Sequence, residues 1–376
     1  MDKEVKKLSM IAKEQTLAGT TMWNWLKLLW KNKFRVHFRY FHKSLFVSIL
    51  LWLFIPFVWY ERIRFNRKIR KTKIEQDPIF ILGHWRSGTT YLHMLMTRNQ
   101  NYSFASNLET FFPHVFLGSR KLFRWLLDSN MPKQRRQDSF KIGPDLPGEE
   151  DFAIANMSQL SYYHGLAFPN RRNYYSKYLT FENVDQKEID KWKKLYLFYL
   201  KKLTYKAKGK RLVIKNPPNT GRIKLLLELF PNAKFIHIYR NPYEVYPSTV
   251  KMYHNLVPPF FLQVPDIFHA ESIVLDIYEE IHRKFFVEKD LIPKGNLIEL
   301  SYEEFLDNPL NSMERIYSDL SLDDFEKTKP ALIEYINAQK RYKANVWDLP
   351  QETIATISRR WKEAITKFGY KIINQK

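Results

Sequence analysis

A chain of 376 residues with 45% hydrophobic content is long enough to bury a large core and too apolar to be wholly disordered. It contains no cysteine, which excludes disulfides, thiolate metal sites and a cysteine nucleophile. The net charge of +22 points to anionic partners, and residues 1–76 alone hold 17 Lys and Arg against 5 Asp and Glu. A surface that binds nucleic acid along its length does not predict so uneven a distribution, and nucleic acid is not expected as a partner.

Residues 1–20 are polar and Lys-rich, a short helix or a frayed tail. From Thr21 the composition changes to tryptophan and leucine, with Trp23, Trp25 and Trp30, and then to a basic-aromatic run with Lys31, Lys33, Arg35, Arg39 and Lys43. Residues 44–60 carry no charge, and Glu61, Arg62 and Arg64 close the run. Seventeen residues are short for a bilayer span, and Pro56 interrupts them. Basic residues mixed with Trp and Phe suit an interfacial helix on anionic lipid. A membrane-surface or shallow hairpin anchor leads, with a true span and a buried core helix as the alternatives.

The stretch on which the rest turns follows. Ile79 to Leu82 form an apolar strand pattern that runs into a loop bounded by Gly83 and Gly88, and Thr89 and Thr90 open a helical pattern through Tyr91, Leu92, Leu95 and Met96. Strand, glycine-bounded loop and helix make a phosphate cradle, with loop amides and a helix N-terminus aimed at an anion. The Gly-x4-Gly spacing matches a Walker A loop, but Thr89 stands where an NTPase has its lysine, and the loop's own cation is Arg86. A P-loop nucleotide kinase is therefore the competing enzyme class, weakened by that missing lysine and by the lack of an obvious Mg²⁺-binding Asp.

Beyond the cradle, residues 104–110 suggest a short strand ending on Glu109. That carboxylate reads as a base, as a helix cap, or as a solvated loop charge. Acidic residues 149–151 suit the first turn of a helix. Residues 162–169 are aromatic and line a pocket or merely pack. Residues 181–210 read as one amphipathic helix ended by Gly209. Residues 211–218 form a buried-strand pattern that stops on Lys215 and two prolines, the kind of strand end where open parallel sheets collect functional residues. Residues 234–240 form a further strand ending in Arg240, and a helix follows with Ser248 on it. A guanidinium and a hydroxyl bracketing a helix start suit a second phosphate. Residues 268–289 are a long helix, residues 295–302 another strand, and Arg341, Lys343 and Asn345 precede the last helix.

Taken together and in this order, the segments HWRSGTT, LVIKNPP, KFIHIYRNPYEVYPSTVKMY and SYEEFLDNP resemble those of the PAPS-dependent sulfotransferase family, bacterial in type, over roughly residues 77–370. The resemblance implies an α/β, P-loop-like three-layer fold: a central, mostly parallel sheet flanked by helices. Residues 77–376 would form that domain, and residues 1–76 a helical, membrane-associating extension. It implies that Arg86, Ser87, Gly88, Thr89 and Thr90, with Tyr91 beside them, hold the 5′-phosphosulfate. Arg240 and Ser248 would hold the 3′-phosphate, Lys215 would lie by the sulfonate, and Tyr302 would neighbour the adenine. Lys343, with Arg341 and Asn345, would stand in for the C-terminal basic segment that the soluble branch has and this chain lacks. Pro217 occupies the position of that branch's histidine, so the resemblance moves the base to Glu109. The catalytic set is then Glu109, Lys215 and Arg86. PAPS is the co-substrate and no metal is required.

The expected acceptor is a sterol, steroid or other lipid alcohol, with a carbohydrate or glycolipid hydroxyl as the alternative. A non-catalytic basic protein would leave Arg240, Ser248 and Lys215 without purpose. Expected partners are the small-molecule or lipid acceptor and an anionic membrane surface. The expected location is cytoplasmic, on the inner face of the membrane, with a Golgi enzyme on a short anchor as the alternative.

Overall fold

The computed structural model describes residues 7, 9–11, 14–132, 134, 141–266, 269–339 and 347–373. The elements that bear on function begin with α1 (Met22–Lys31), α2 (Phe41–Lys71), β1 (Ile79–Leu82), α3 (Thr89–Met96), β2 (Tyr102–Ser103), α4 (Asn107–Phe111) and α5 (Asp151–Met157). They continue with α6 (Gln186–Lys206), β3 (Arg211–Lys215), β4 (Lys234–Tyr239), α7 (Pro242–Leu256), α8 (Ala270–Glu288), β5 (Leu297–Ser301) and α9 (Tyr302–Asp307). The chain divides into two compact units. The first comprises residues 1–75, 104–209 and 252–268, and the second residues 76–103, 210–251 and 269–376.

The second unit is built on a five-stranded sheet in the order β2-β3-β1-β4-β5, with every pairing parallel. Parallel strands are covered on both faces, so they read as continuous apolar runs. β1 is buried along its whole length, and β3 and β4 nearly so, while the edge strand β5 alternates. Helix α8 buries Tyr278, Ile281 and Phe285, and the Phe285 ring stacks on His237 of β4. Every strand of the three-stranded core points its carboxyl end at the same edge. The loop after β1, Lys215 on β3 and Arg240 after β4 all lie there.

The first unit is helical. α2 runs unbroken for 31 residues through Pro56, so the proline expected to interrupt the run costs one backbone hydrogen bond without ending the helix. Val47, Leu51, Phe54, Val58 and Glu61 recur at helical spacing and form its buried stripe. Glu61 is neutralised in place: its carboxylate pairs with Lys202 of α6 and accepts the N–H groups of Leu117 (2.8 Å) and Gly118 (2.7 Å). Lys43, near the start of the same stripe, donates to the carbonyls of Ser9, Pro259 and Phe261. A buried charge is tolerated only when so fully bonded.

Two expectations are corrected. The helix expected over 181–210 begins at Gln186, because Phe181 takes a left-handed conformation (φ 60°) that closes the preceding helix and Asn183 takes another (φ 56°). The strand expected over 104–110 is the two-residue β2, ending at Ser103, and Glu109 sits on helix α4. The Glu109 carboxylate reaches back to accept the Ser106 N–H at the start of α4, which favours helix at that point.

Candidate active site

The cradle is shaped by its backbone. Gly83 (φ 136°) and Gly88 (φ 89°) both lie in the region that favours glycine. A Cβ at Gly83 would sit 2.3 Å from the Ile238 carbonyl oxygen, and one at Gly88 would sit 2.4 Å from the Tyr302 ring. No larger residue fits at either place. Arg86 also has a left-handed backbone (φ 70°), a strained choice for a non-glycine and one that collects at functional sites. The Gly83 N–H donates to Thr220 Oγ1 at 2.8 Å, tying the loop to the segment after β3. His84 turns inward, its Nδ1 2.9 Å from the Trp85 carbonyl oxygen, and burial pushes its pKa down to about 4. It is neutral at pH 7, so Arg86 is the loop's cation.

α3 starts directly at the loop's end, with Ser87 and Thr89 buried and Thr90 half-buried. The Tyr91 ring packs against Phe305 and Tyr335, and burial, reinforced by Tyr335, pushes its phenol up to about 12.

The second expected anion element meets the first. Arg86 Nε donates to Ser248 Oγ at 2.9 Å, joining the loop after β1 to α7 after β4. Arg240 donates from Nη1 to the Arg86 carbonyl (3.2 Å) and from Nε and Nη2 to Glu244 Oε2 (3.0 and 2.5 Å). Its guanidinium lies 4.5 Å from the centre of the Tyr302 ring. Arg86, Arg240, Ser248 and Tyr302, drawn from four places in the sequence, are therefore one cluster. Lys215 ends β3 in register with Ile81 of β1 and is 4% exposed. Its charge is felt by His93, which is pushed down to about 3 by burial first and by Lys215 second.

Glu109 belongs to the first unit and is fully buried. Its Oε2 accepts the Ser106 N–H at 2.6 Å, while Oε1 faces Arg120 at 2.6 Å and Lys206 at 3.2 Å. Burial alone would raise its pKa. Lys206, Ser106 and Arg120 together outweigh burial and hold the carboxyl below the ordinary range. It is a helix cap, as one sequence reading had it, but not a solvated one. Arg341, Lys343 and Asn345 lie outside the described residues.

Three further residues were not singled out from the sequence. Thr220 anchors Gly83, Glu244 holds Arg240, and Asn216 follows Lys215 directly. Asn216 is fully buried, and neither its Oδ1 nor its Nδ2 hydrogen-bonds within the described residues, a costly arrangement. The i,i+4 spacing of Arg240 and Glu244 was a readable signal. The Thr220 bond, 137 residues distant from its partner, was not. Among the described residues, no group of three His, Asp or Glu side chains is placed to hold a metal ion.

Residues 78–327 match the family model described as "Sulfotransferase family". Two curated relatives, from Mycobacterium bovis and Mycobacterium tuberculosis, carry the name omega-hydroxy-beta-dihydromenaquinone-9 sulfotransferase Stf3. Each is 34% identical over 349 residues, covering 92% of this chain and 89% of the relative. Among solved structures, sulfotransferase STF9 from Mycobacterium avium superposes with a TM-score of 0.66 at 16% identity, covering 85% of this chain and 83% of that one. STF1 from Mycobacterium tuberculosis H37Rv gives 0.57 at 14% identity, covering 92% and 94%. At such identities these two structures speak to the fold alone. Because the family match begins one residue before β1 and continues past β5, and the relatives align over nearly the whole chain, this protein belongs to the sulfotransferase family and is an enzyme of that activity.

Proposed function

We propose that the protein moves the sulfonate group of PAPS onto the hydroxyl of a lipid alcohol, giving a sulfate ester and adenosine 3′,5′-bisphosphate. The observation that carries the donor assignment is the bond from Arg86 to Ser248. It draws the loop after β1 and the Arg240 element after β4 into one cluster, as a donor with a phosphate at each end of its ribose requires. The residues present fit such a donor: the cradle is one that a Cβ would fill, and Asn216 offers buried, unsatisfied polar atoms beside Lys215.

In this reading the loop amides, the N-terminus of α3 and Arg86 hold the 5′-phosphosulfate, and Arg240 and Ser248 hold the 3′-phosphate. Arg240 already shares Glu244, so the 3′-phosphate competes with that carboxylate for the guanidinium. Tyr302, whose ring lies under Arg240, borders the nucleoside. Lys215 and Arg86 stabilise the negative charge that grows on the leaving phosphate as the acceptor oxygen bonds to sulfur and the old S–O bond breaks. Groups fixed in advance for that charge supply the largest part of such a rate enhancement. We assign the acceptor's proton to Glu109. Its partners keep it ionised at neutral pH, the state a base needs, and make it a weaker base than a free glutamate. Arg120 or Lys206 must release Oε1 for the proton to arrive.

The lipid acceptor is supported by the relatives, named for a menaquinone that bears a terminal hydroxyl. That name favours an extended isoprenoid alcohol over a sterol or a sugar. The test is transfer of ³⁵S from labelled PAPS to a panel of isoprenoid alcohols, sterols and oligosaccharides. Label in the isoprenoid alcohol is the expected result, and label confined to carbohydrate would overturn the acceptor.

A further inference from the structure

Helix α2 has two unlike faces. Its inner stripe packs within the first unit, and its outer side exposes Leu45, Ile49, Trp52, Leu53, Trp59 and Ile63, with Trp52 67% and Ile63 80% exposed. Helix α1 adds Trp23 (68%) and Trp30 (73%) while burying Trp25, Leu28 and Leu29. A groove of about 390 Å³ runs between the two helices, lined by Trp23, Leu26, Ile55 and Trp59 with Arg62 at one end. Soluble proteins rarely expose so continuous an apolar surface without a partner for it.

The charges around this face have one sign. Between Gln15 and Ile74 the only acidic residue is Glu61, which is 2% exposed and neutralised by Lys202. Exposed Lys27, Lys31, Lys33, Arg35 and Arg39 lie on α1 and between the helices, and Arg64, Arg67, Lys68, Arg70 and Lys71 crowd the end of α2. A second copy of this face would bring cation against cation with no acid to answer it. Anionic phosphates beside apolar chains would answer both features. The helix is not free to cross a bilayer: a third of its most apolar 18-residue window is buried in the protein, and Lys43 and Glu61 pin both ends of the buried stripe to other segments.

We propose that the outer face of α1 and α2 seats on an anionic phospholipid bilayer. Trp23, Trp52 and Trp59 enter the boundary between headgroups and acyl chains, and the basic ends lie against lipid phosphates. Tryptophan, an apolar ring with one polar edge, suits that boundary. The helix lies along the surface without spanning it.

The test uses the full chain and vesicles free of donor and acceptor, so that its failure is separate from failure of the proposed reaction. Flotation with phosphatidylcholine–phosphatidylglycerol vesicles should recover the protein, and phosphatidylcholine vesicles should recover far less. Tryptophan emission should shift to the blue and be quenched by brominated acyl chains. The triple variant Ile49→Glu, Trp52→Glu, Ile63→Glu changes only exposed positions. It should partition at least about tenfold more weakly, with its thermal melt and its affinity for adenosine 3′,5′-bisphosphate unchanged. Wild-type protein that stays in solution with anionic vesicles would overturn the proposal, as would a triple variant that binds them equally well. So would a wild-type dimer in lipid-free solution that the triple variant turns into a monomer, which would give the face to a second copy.

Discussion

The cradle of the second unit is held by its own backbone, whereas Glu109 in the first unit is held by side chains arriving from elsewhere in the chain. Gly83, Arg86 and Gly88 take left-handed conformations within six residues, and close neighbours leave no room for a Cβ at either glycine. Glu109 takes one partner from its own helix turn, one from Arg120 and one from Lys206, which is 97 residues away. The first arrangement specifies a shape that an anion can enter. The second neutralises a charge that is already present. A binding site and a buried charge thus look alike as polar residues in a sequence and differ in what compensates them.

The sharpest way to break this comparison is Glu109→Gln. Amide oxygen can still accept the Ser106 N–H, so the cap is kept while the charge is lost. If Glu109 is the base, turnover falls by ~10²–10⁴-fold with donor affinity unchanged. Full turnover together with a lower melting temperature would leave it a structural residue only. Its pKa is lower folded than unfolded, so its contribution to stability is present above its ordinary value of 4.5 and is lost as pH falls through the folded value. The variant should therefore flatten the acid limb of the stability curve, as thermal melts between pH 3 and pH 7 would show.

Gly88→Ala tests the other side. A left-handed alanine costs about 1–2 kcal/mol, and the clash with Tyr302 adds about 1–3 kcal/mol. Retention on immobilised adenosine 3′,5′-bisphosphate should be lost while the helical first unit keeps its circular dichroism. Unchanged retention would mean that the backbone does not define the donor site. Arg240→Ala should have a smaller effect. Losing charge-assisted bonds worth about 1.5–3 kcal/mol weakens donor binding roughly 10- to 150-fold. An effect on KM for the donor without one on turnover would place Arg240 in binding alone.

The same contrast explains what the sequence made legible. The strands β1, β3, β4 and β5 each show in a local run of apolar residues, and the cradle shows in the spacing of Gly83 and Gly88. Arg240 and Ser248 are eight residues apart, one just after a strand and the other on the helix that follows, so short-range pattern was enough to pair them. The Arg86–Ser248 bond spans 162 residues, and the family resemblance assigns those two side chains to different phosphates of the donor, so their contact was not legible beforehand. Nothing local to Glu109 announces Lys206, and nothing local to Glu61 announces Lys202, 141 residues on. For α2, the uncharged run over residues 44–60 favours a surface helix and leaves a span and a core helix as alternatives. Which face is packed depends on distant segments, and the structure shows one face packed and the other exposed.

The central claim is that the Arg86–Ser248–Arg240 cluster is a site for a nucleotide with phosphates at both its 3′ and 5′ positions. The direct measurement is calorimetric titration of the full chain with adenosine 3′,5′-bisphosphate and, separately, with ATP and Mg²⁺. Tight 1:1 binding of the bisphosphate, with ATP–Mg²⁺ weaker by at least about tenfold, is the predicted result. Preferential binding of ATP–Mg²⁺ would contradict it and point to phosphoryl transfer instead.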